Sequence, residues 1–421
     1  MENFPKMFKI RQKINAPRVE NIERRVNELL DQFEIQRKVK RGERIALTAG
    51  SRGIKDKPRV LKTIVERLKD LGASPFLVPC MGSHGGATAE GQTEVLQSYG
   101  ITEQAVGAPI VSSVEVEKIG KTKFGTPVLI DKNILKADKI IVVNRIKLHT
   151  DFKGEFESGL IKMMVIGMGK PEGALMVHRL TIKHGFPAVL TEVGSIILKK
   201  LPIFFGMGIL ENPFDETAFV ELLNPQQMFE QEKALLKKAR GMMPRLPFEQ
   251  VDILIVDELG KNVSGAGMDT NVIGRCHSIN HQKPKRPRIT RIFVRDLTEA
   301  SHGNACGIGM AEYTTRRLVD KIDYPSTHIN SVTGMTPENG RVPLFFEQDR
   351  EALETAHYNS GVFNPKDLRI VWIKNTLELQ HFYASQPFLK ETRSNPKLEI
   401  LCKPFDIPFD ENGNLISKWN E

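Results

Sequence analysis

One stretch restricts the possible folds of this chain more than any other: residues 44–80 read as strand, helix, strand. Residues 44–49 are a short apolar run that ends in Thr48-Ala49-Gly50-Ser51-Arg52-Gly53. Pro58 then opens a helix, since its fixed φ suits a first turn and its missing N–H costs nothing there. Leu61, Ile64, Val65, Leu68 and Leu71 recur at helical spacing, and Gly72 closes the segment. Residues 75–80 form the next apolar run. The whole span has the length that a right-handed crossover between parallel strands requires, so the chain reads as α/β.

Other segments continue the alternation. Val19, Ile22, Val26, Leu29, Leu30 and Phe33 predict an amphipathic helix over 19–34. Residues 139–143 are apolar without a break, the mark of a strand buried on both faces, and lead into Asn144, Arg145, Lys147 and His149. A helical stretch over 227–240 gives way to Pro244 and Pro247 before another strand over 251–256. This predicts two domains, residues 1–245 and 246–421, which suits a chain of 421 residues. In the second, 289–294 and 368–373 read as strands, and 310–322 and 345–356 as helices.

Composition removes whole classes of function. With 40% hydrophobic and 26% charged residues the chain has ample material for cores and is not disordered. A formal charge of +9 suits anionic ligands. Yet the one dense basic run, Lys283, Lys285, Arg286 and Arg288, is broken by Pro284 and Pro287 and lacks interleaved aromatics, so no nucleic-acid partner is expected. Cys80, Cys276, Cys306 and Cys402 are too few and too scattered for a disulfide framework. The longest apolar region, 186–210, is cut by Glu192, Lys199, Lys200 and two prolines, which argues against a membrane span. Residues 1–11 carry charges and no apolar signal core, so a cytoplasmic protein is expected.

Two loops that follow strands carry histidines. Gly82-Ser83-His84-Gly85-Gly86 sets an imidazole among glycines, where backbone and ring can approach a ligand closely. Lys147-Leu148-His149-Thr150-Asp151 sets another beside a lysine, whose charge favours the neutral, proton-accepting ring. In open α/β sheets, ligands gather at the carboxyl ends of strands, so Arg52, His84 and His149 are expected to converge there. Further on, residues 165–173 have the glycines of a phosphate cradle but neither the spacing nor the terminal Lys-Ser/Thr pair of a P-loop. His178 falls in a helix-like segment, open to packing or to metal ligation. Cys276, His277, His281, His302 and Cys306 match no standard zinc spacing.

Taken in order, these elements resemble the lactate racemase superfamily, whose members bind a nickel-pincer nucleotide. His84 matches the family's first catalytic histidine and His149 its second, ahead of the run Ser158-Gly159-Leu160-Ile161-Lys162. The resemblance implies a Rossmann-like parallel sheet in the N-terminal domain and an active site in the interdomain cleft. It implies that Lys162 is the covalent attachment point of the cofactor, with Ser51, Ser158 and Gly159 beside it, and that His178 ligates nickel. Arg52 is the expected holder of the substrate carboxylate or of a nearby phosphate, with Lys261 and Arg275 as candidate substrate contacts from the second domain. The spacer over 151–157 and the segments Asp257-Glu258-Leu259-Gly260-Lys261 and 267–275 depart from lactate racemase.

The implied activity is a racemase or epimerase of a small 2-hydroxy acid, by proton-coupled hydride transfer to and from the nickel-pincer nucleotide. Inverting one carbon calls for an acid/base group on each face, and two histidines titrating near neutrality meet that need. Cofactor-biosynthesis proteins are the implied partners. The alternative is a non-catalytic protein on the same fold that binds a nucleotide or a phosphorylated ligand. No nucleophile elbow supports a hydrolase.

Overall fold

A computed structural model describes residues 4–150, 152–278, 286–417 and 419. The chain forms two compact units, Ala16–Met243 and a second made of the segment through Asn15 together with everything from Pro244 on. Both are α/β.

The second unit begins with β1 (Met7–Gln12). The first is built on β2 (Arg44–Ala49), β3 (Ser74–Pro79), β6 (Lys139–Arg145), β7 (Ile203–Glu211) and β8 (Thr217–Leu223), in the sheet order β3-β2-β6-β7-β8. A separate hairpin, β4 (Val116–Lys121) and β5 (Pro127–Asp131), lies between them in sequence. All neighbours in the five-stranded sheet run parallel except β8, which is antiparallel to β7. Leu47 registers with Leu77 on one side and Ile141 on the other, so β2 is central and its side chains are buried on both faces. That is why 44–49 and 139–143 lack a polar alternation.

The crossover between β2 and β3 is the helix Lys57–Asp70, which buries Val60, Leu61, Ile64, Val65 and Leu68. Each such side chain contributes on the order of 1.5–3 kcal/mol of burial. Gly72, at φ +80°, ends the helix in the left-handed conformation that glycine adopts without penalty. From β2 the chain turns to β3 on one side, and later to β6 on the other. The strand order therefore reverses between β2 and β6, and the loops that follow those two strands border the crevice where ligands bind in such sheets.

The second unit is an eight-stranded sheet. It adds β9 (Gln250–Leu259), β10 (Arg288–Leu297), β11 (Tyr313–Thr315), β12 (Leu344–Phe346), β13 (Ile370–Ile373), β14 (His381–Ser385) and β15 (Leu398–Ile400), in the order β12-β11-β10-β9-β13-β14-β1-β15. Here the structure differs from the sequence reading, which placed residues 1–15 with the N-terminal domain. β1 pairs with β14 and β15, and its Met7, Phe8 and Ile10 are fully buried. Two helices expected in this unit are also corrected. Residues 310–322 hold β11 and only the short helix Arg316–Val319, and 345–356 begin with β12 before the helix Asp349–Tyr358. Tyr313, Thr314 and Thr315 are all buried at the sheet, and a β-branched pair there favours extended backbone over helix.

A buried ionic network braces this unit. The Arg295 guanidinium donates to Asp349 at 2.8 Å and to Asp257 at 2.6 Å. The indole N–H groups of Trp372 and Trp419 each donate to Asp257 at 2.6 Å. Asp257 is thus a brace between β9, β10, β13 and the C-terminal segment. No helix among the described residues is long and apolar enough to cross a membrane.

Candidate active site

The loop that leaves β6 closes on itself. Lys147 N–H donates to Ser158 O at 2.8 Å and Ser158 N–H returns the bond to Lys147 O at 3.1 Å. Inside that loop Glu157 is fully buried, accepting from the His149 backbone N–H at 2.7 Å and from Arg240 at 2.9 Å, with the Lys153 ammonium 3.5 Å away. A buried carboxylate needs such partners, since an unpaired one costs several kcal/mol. Its location fixes the backbone of His149.

Directly after the loop, the chain turns into Leu160–Lys162. The buried Glu232 carboxylate caps this turn from a distant helix, with one oxygen accepting from the N–H groups of Leu160 and Ile161 at 2.8 and 2.9 Å. Gly159 is required here, because a Cβ would sit 2.2 Å from the other Glu232 oxygen. Asn144 on β6 donates to Gly159 O at 2.9 Å. A π-helical turn, Met163–Gly167, follows and leads to the helix Lys170–His184, which carries His178. Such turns are rare and frequent at functional sites.

These constraints bring three of the expected residues together. The Lys162 Nζ lies against His149 Nε2. The His149 ring stacks on Phe152 at 4.3 Å, Phe152 stacks on Phe186 at 3.9 Å, and His178 meets the Phe186 ring edge-on at 5.8 Å. Burial, then the charge of Lys162 and then Lys153, His178 and Lys147, hold the His149 pKa well below the usual imidazole value. Burial and then Lys162 push that of His178 down to about 4. Both rings are therefore neutral at physiological pH. A neutral imidazole offers a lone pair to a proton or a metal.

His84 stands on the neighbouring loop after β3. Gly82, Gly85 and Gly86 have φ of +59°, +66° and +61°, so the loop turns through conformations that other residues resist. It packs on the His178 helix, where a Cβ on Gly82 would approach Ala174 Cβ to 3.2 Å. His84 is exposed, and its Nδ1 lies 2.8 Å from Met81 O. A carbonyl only accepts, so Nδ1 carries the proton and the neutral ring has its lone pair on Nε2. The loop after β2 borders the same region: a Cβ on Gly50 would lie 2.6 Å from Met163 Cε, one residue from Lys162. Ser51 O accepts from Tyr99 Oη at 3.3 Å, and the Arg52 side chain is exposed.

The expected residues of the second unit are engaged within it. Lys261 Nζ donates to Gly265 O and Asn330 Oδ1. The Arg275 guanidinium binds Glu312, Met310 O and Ile289 O, tying its loop to β10 and β11. No group of three or more His, Cys, Asp or Glu side chains is gathered around a metal position among the described residues. His281, Lys283, Lys285 and Asp151 lie outside them.

Sequence reasoning did not find Glu157, Glu232, Phe152 or Phe186. A tight Ser-Gly pair before Lys162 hints that something occupies the glycine's missing side chain, but no local pattern points to a residue 73 positions later.

Residues 5–187 match the family model of the lactate racemase N-terminal domain. The N-terminal part of the chain is thus similar in sequence to that domain. Arg52, His84, His149, Lys162 and His178 all fall inside the matched span, while Lys261 and Arg275 fall outside it. Among solved structures, the fold is similar to that of the lactate racemase apoprotein from Thermoanaerobacterium thermosaccharolyticum, with a TM-score of 0.54 and 13% identity over 87% of this chain and 94% of that one. No curated protein matches the chain in sequence.

Proposed function

We propose that this chain is a member of the lactate racemase superfamily, a racemase or epimerase of a small 2-hydroxy acid that works with a nickel-pincer nucleotide. The observation that carries the reading is the cluster of Lys162, His149 and His178 around Phe152 and Phe186. Its donor chemistry fits the cofactor. His178 stays neutral down to about pH 4 and so keeps a lone pair for nickel, which imidazole suits. One protein ligand suffices where the cofactor supplies the others, so a cluster of several protein ligands is not needed. Lys162 presents a primary amine for attachment, and Ser51, Ser158 and Gly159 are assigned as further cofactor contacts.

When bound, the cofactor supplies the hydride acceptor and donor. The chain's own residues then handle protons and position. His84 and His149 each take or give a proton at the substrate hydroxyl, one for each face of the carbon. Arg52 binds the carboxylate with its planar fork. The alternative, a binding protein without catalysis, predicts no change in optical rotation.

The test is purification from a host that makes the cofactor. The chain should then carry nickel, the peptide containing Lys162 should show an added mass, and one of lactate, malate, 2-hydroxyglutarate or a sugar acid should be racemised or epimerised. Full nickel occupancy and turnover in His178→Ala would overturn the metal assignment.

A further inference from the structure

A second buried network reaches the site from below the His84 loop. Lys170, the first residue of the helix that carries His178, is completely buried, and its ammonium meets three acceptors: Pro79 O, Gln92 Oε1 at 2.9 Å and Asp131 Oδ2 at 3.2 Å. It donates to Pro79 O and Gln92 Oε1, and the Asp131 carboxylate pairs with its charge. Gln92 is also completely buried, and its Nε2 donates to Gly82 O at 2.8 Å and to His84 O at 3.4 Å.

We propose that Lys170 and Gln92 are positioning residues for His84, forming a relay that runs from Asp131 through the ammonium and the amide to the carbonyls of the histidine loop. This rests on reading His84 as an acid/base group of the site.

Three features favour positioning over mere packing. First, the ammonium dictates the direction of the Gln92 amide. With Oε1 facing a positive charge, both Nε2 protons must point the other way, towards the loop. Second, Gly82, Gly85 and Gly86 offer no side chains of their own around His84, and Gln92 grips the backbone carbonyls of Gly82 and His84. Lys170 also holds Pro79 O, where β3 enters the loop. Third, Lys170 has φ +55°, a left-handed conformation that costs a non-glycine residue on the order of 1–3 kcal/mol. Glycine would remove that cost, so the side chain's bonds outweigh it. The same residue begins the His178 helix, so one ammonium registers the His84 loop against the segment that carries His178.

Asp131 is fixed in turn. It accepts through Oδ1 from the N–H groups of Asn133 and Ile134 at 2.6 and 3.2 Å, and its own N–H donates to Met168 O at 2.9 Å. The relay therefore ends on the segment that follows Lys162.

The test uses Gln92→Leu and Gln92→Glu, read in the full-length protein without cofactor. Gln92→Glu keeps the shape and the contact with Lys170 but cannot donate to the loop. In the wild-type protein, long-range nitrogen–proton NMR should show His84 as a single tautomer protonated on Nδ1. In either variant that resonance should become an average of two tautomers, and exchange of the amides over 81–86 should accelerate about tenfold or more, as local opening becomes easier. In cofactor-loaded protein the turnover number should fall by roughly 10²-fold with KM little changed, the effect of a misplaced acid/base group. An unchanged His84 tautomer and unchanged exchange in a folded Gln92→Glu variant would overturn the proposal. If the NMR changes appear but wild-type protein racemises nothing, the positioning stands and the racemase reading falls.

Discussion

The amine of Lys162 and the Nε2 of His149 are direct neighbours, and each determines what the other can do. Burial is the largest cause of the low pKa of His149, and the Lys162 charge is the next. Replacing Lys162 by Met removes the charge and leaves most of the burial. The His149 pKa should therefore rise in Lys162→Met, without returning fully to the ordinary value, as read from its ring-proton NMR titration. Covalent attachment of a cofactor at this amine would also neutralise it, so loading itself should make His149 a better base.

His178 ties stability to pH. Its pKa is about 4 in the folded protein and about 6.5 when exposed, so between those values the unfolded chain binds more protons. Its contribution is complete above about pH 6.5 and is lost as the pH falls towards 4, on the order of 3 kcal/mol across the window. His178→Asn should flatten the acid limb of the stability profile measured by urea unfolding. An equally steep limb would show that the acid sensitivity arises elsewhere.

Glu232 works in the opposite direction. Burial raises its pKa to about 7, while the Leu160 and Ile161 N–H groups pull it down. A raised pKa means that its contribution is complete below the unfolded value and is lost as the pH rises through about 7. Glu232→Gln keeps an acceptor for the Lys162 turn and cannot ionise. Relative to wild type it should be more stable at pH 8 than at pH 5, and a difference independent of pH would refute the shift.

Gly159 has no room for a side chain. Gly159→Ala would drive a Cβ into the Glu232 carboxylate and should destabilise the first unit by about 2 kcal/mol, the usual cost of overpacking. It should also disturb the Lys162–His149 contact, visible as a change in the His149 titration.

In the second unit, Arg295→Met leaves Asp257 and Asp349 buried without their shared cation. Breaking one partner of such a network costs about 3–5 kcal/mol, so unfolding should shift to markedly lower urea.

Much of the site is legible in the chain alone because its signals are local. The crossover over 44–80 follows from which residues are apolar and how they are spaced, and the glycines around His84 announce a turn that only they accommodate. His84, His149, Lys162 and His178 also occur in an order that evokes one family. What spacing could not reveal is which distant surfaces meet. Glu232 beneath Gly159, Arg240 on Glu157, and Lys170 reaching Gln92 are pairings over dozens of residues, chosen because a buried charge must find a partner wherever the packing places one. Arg275 held by Glu312 has the same origin, and Met7–Gln12 joins the C-terminal sheet because its apolar side chains find their burial there.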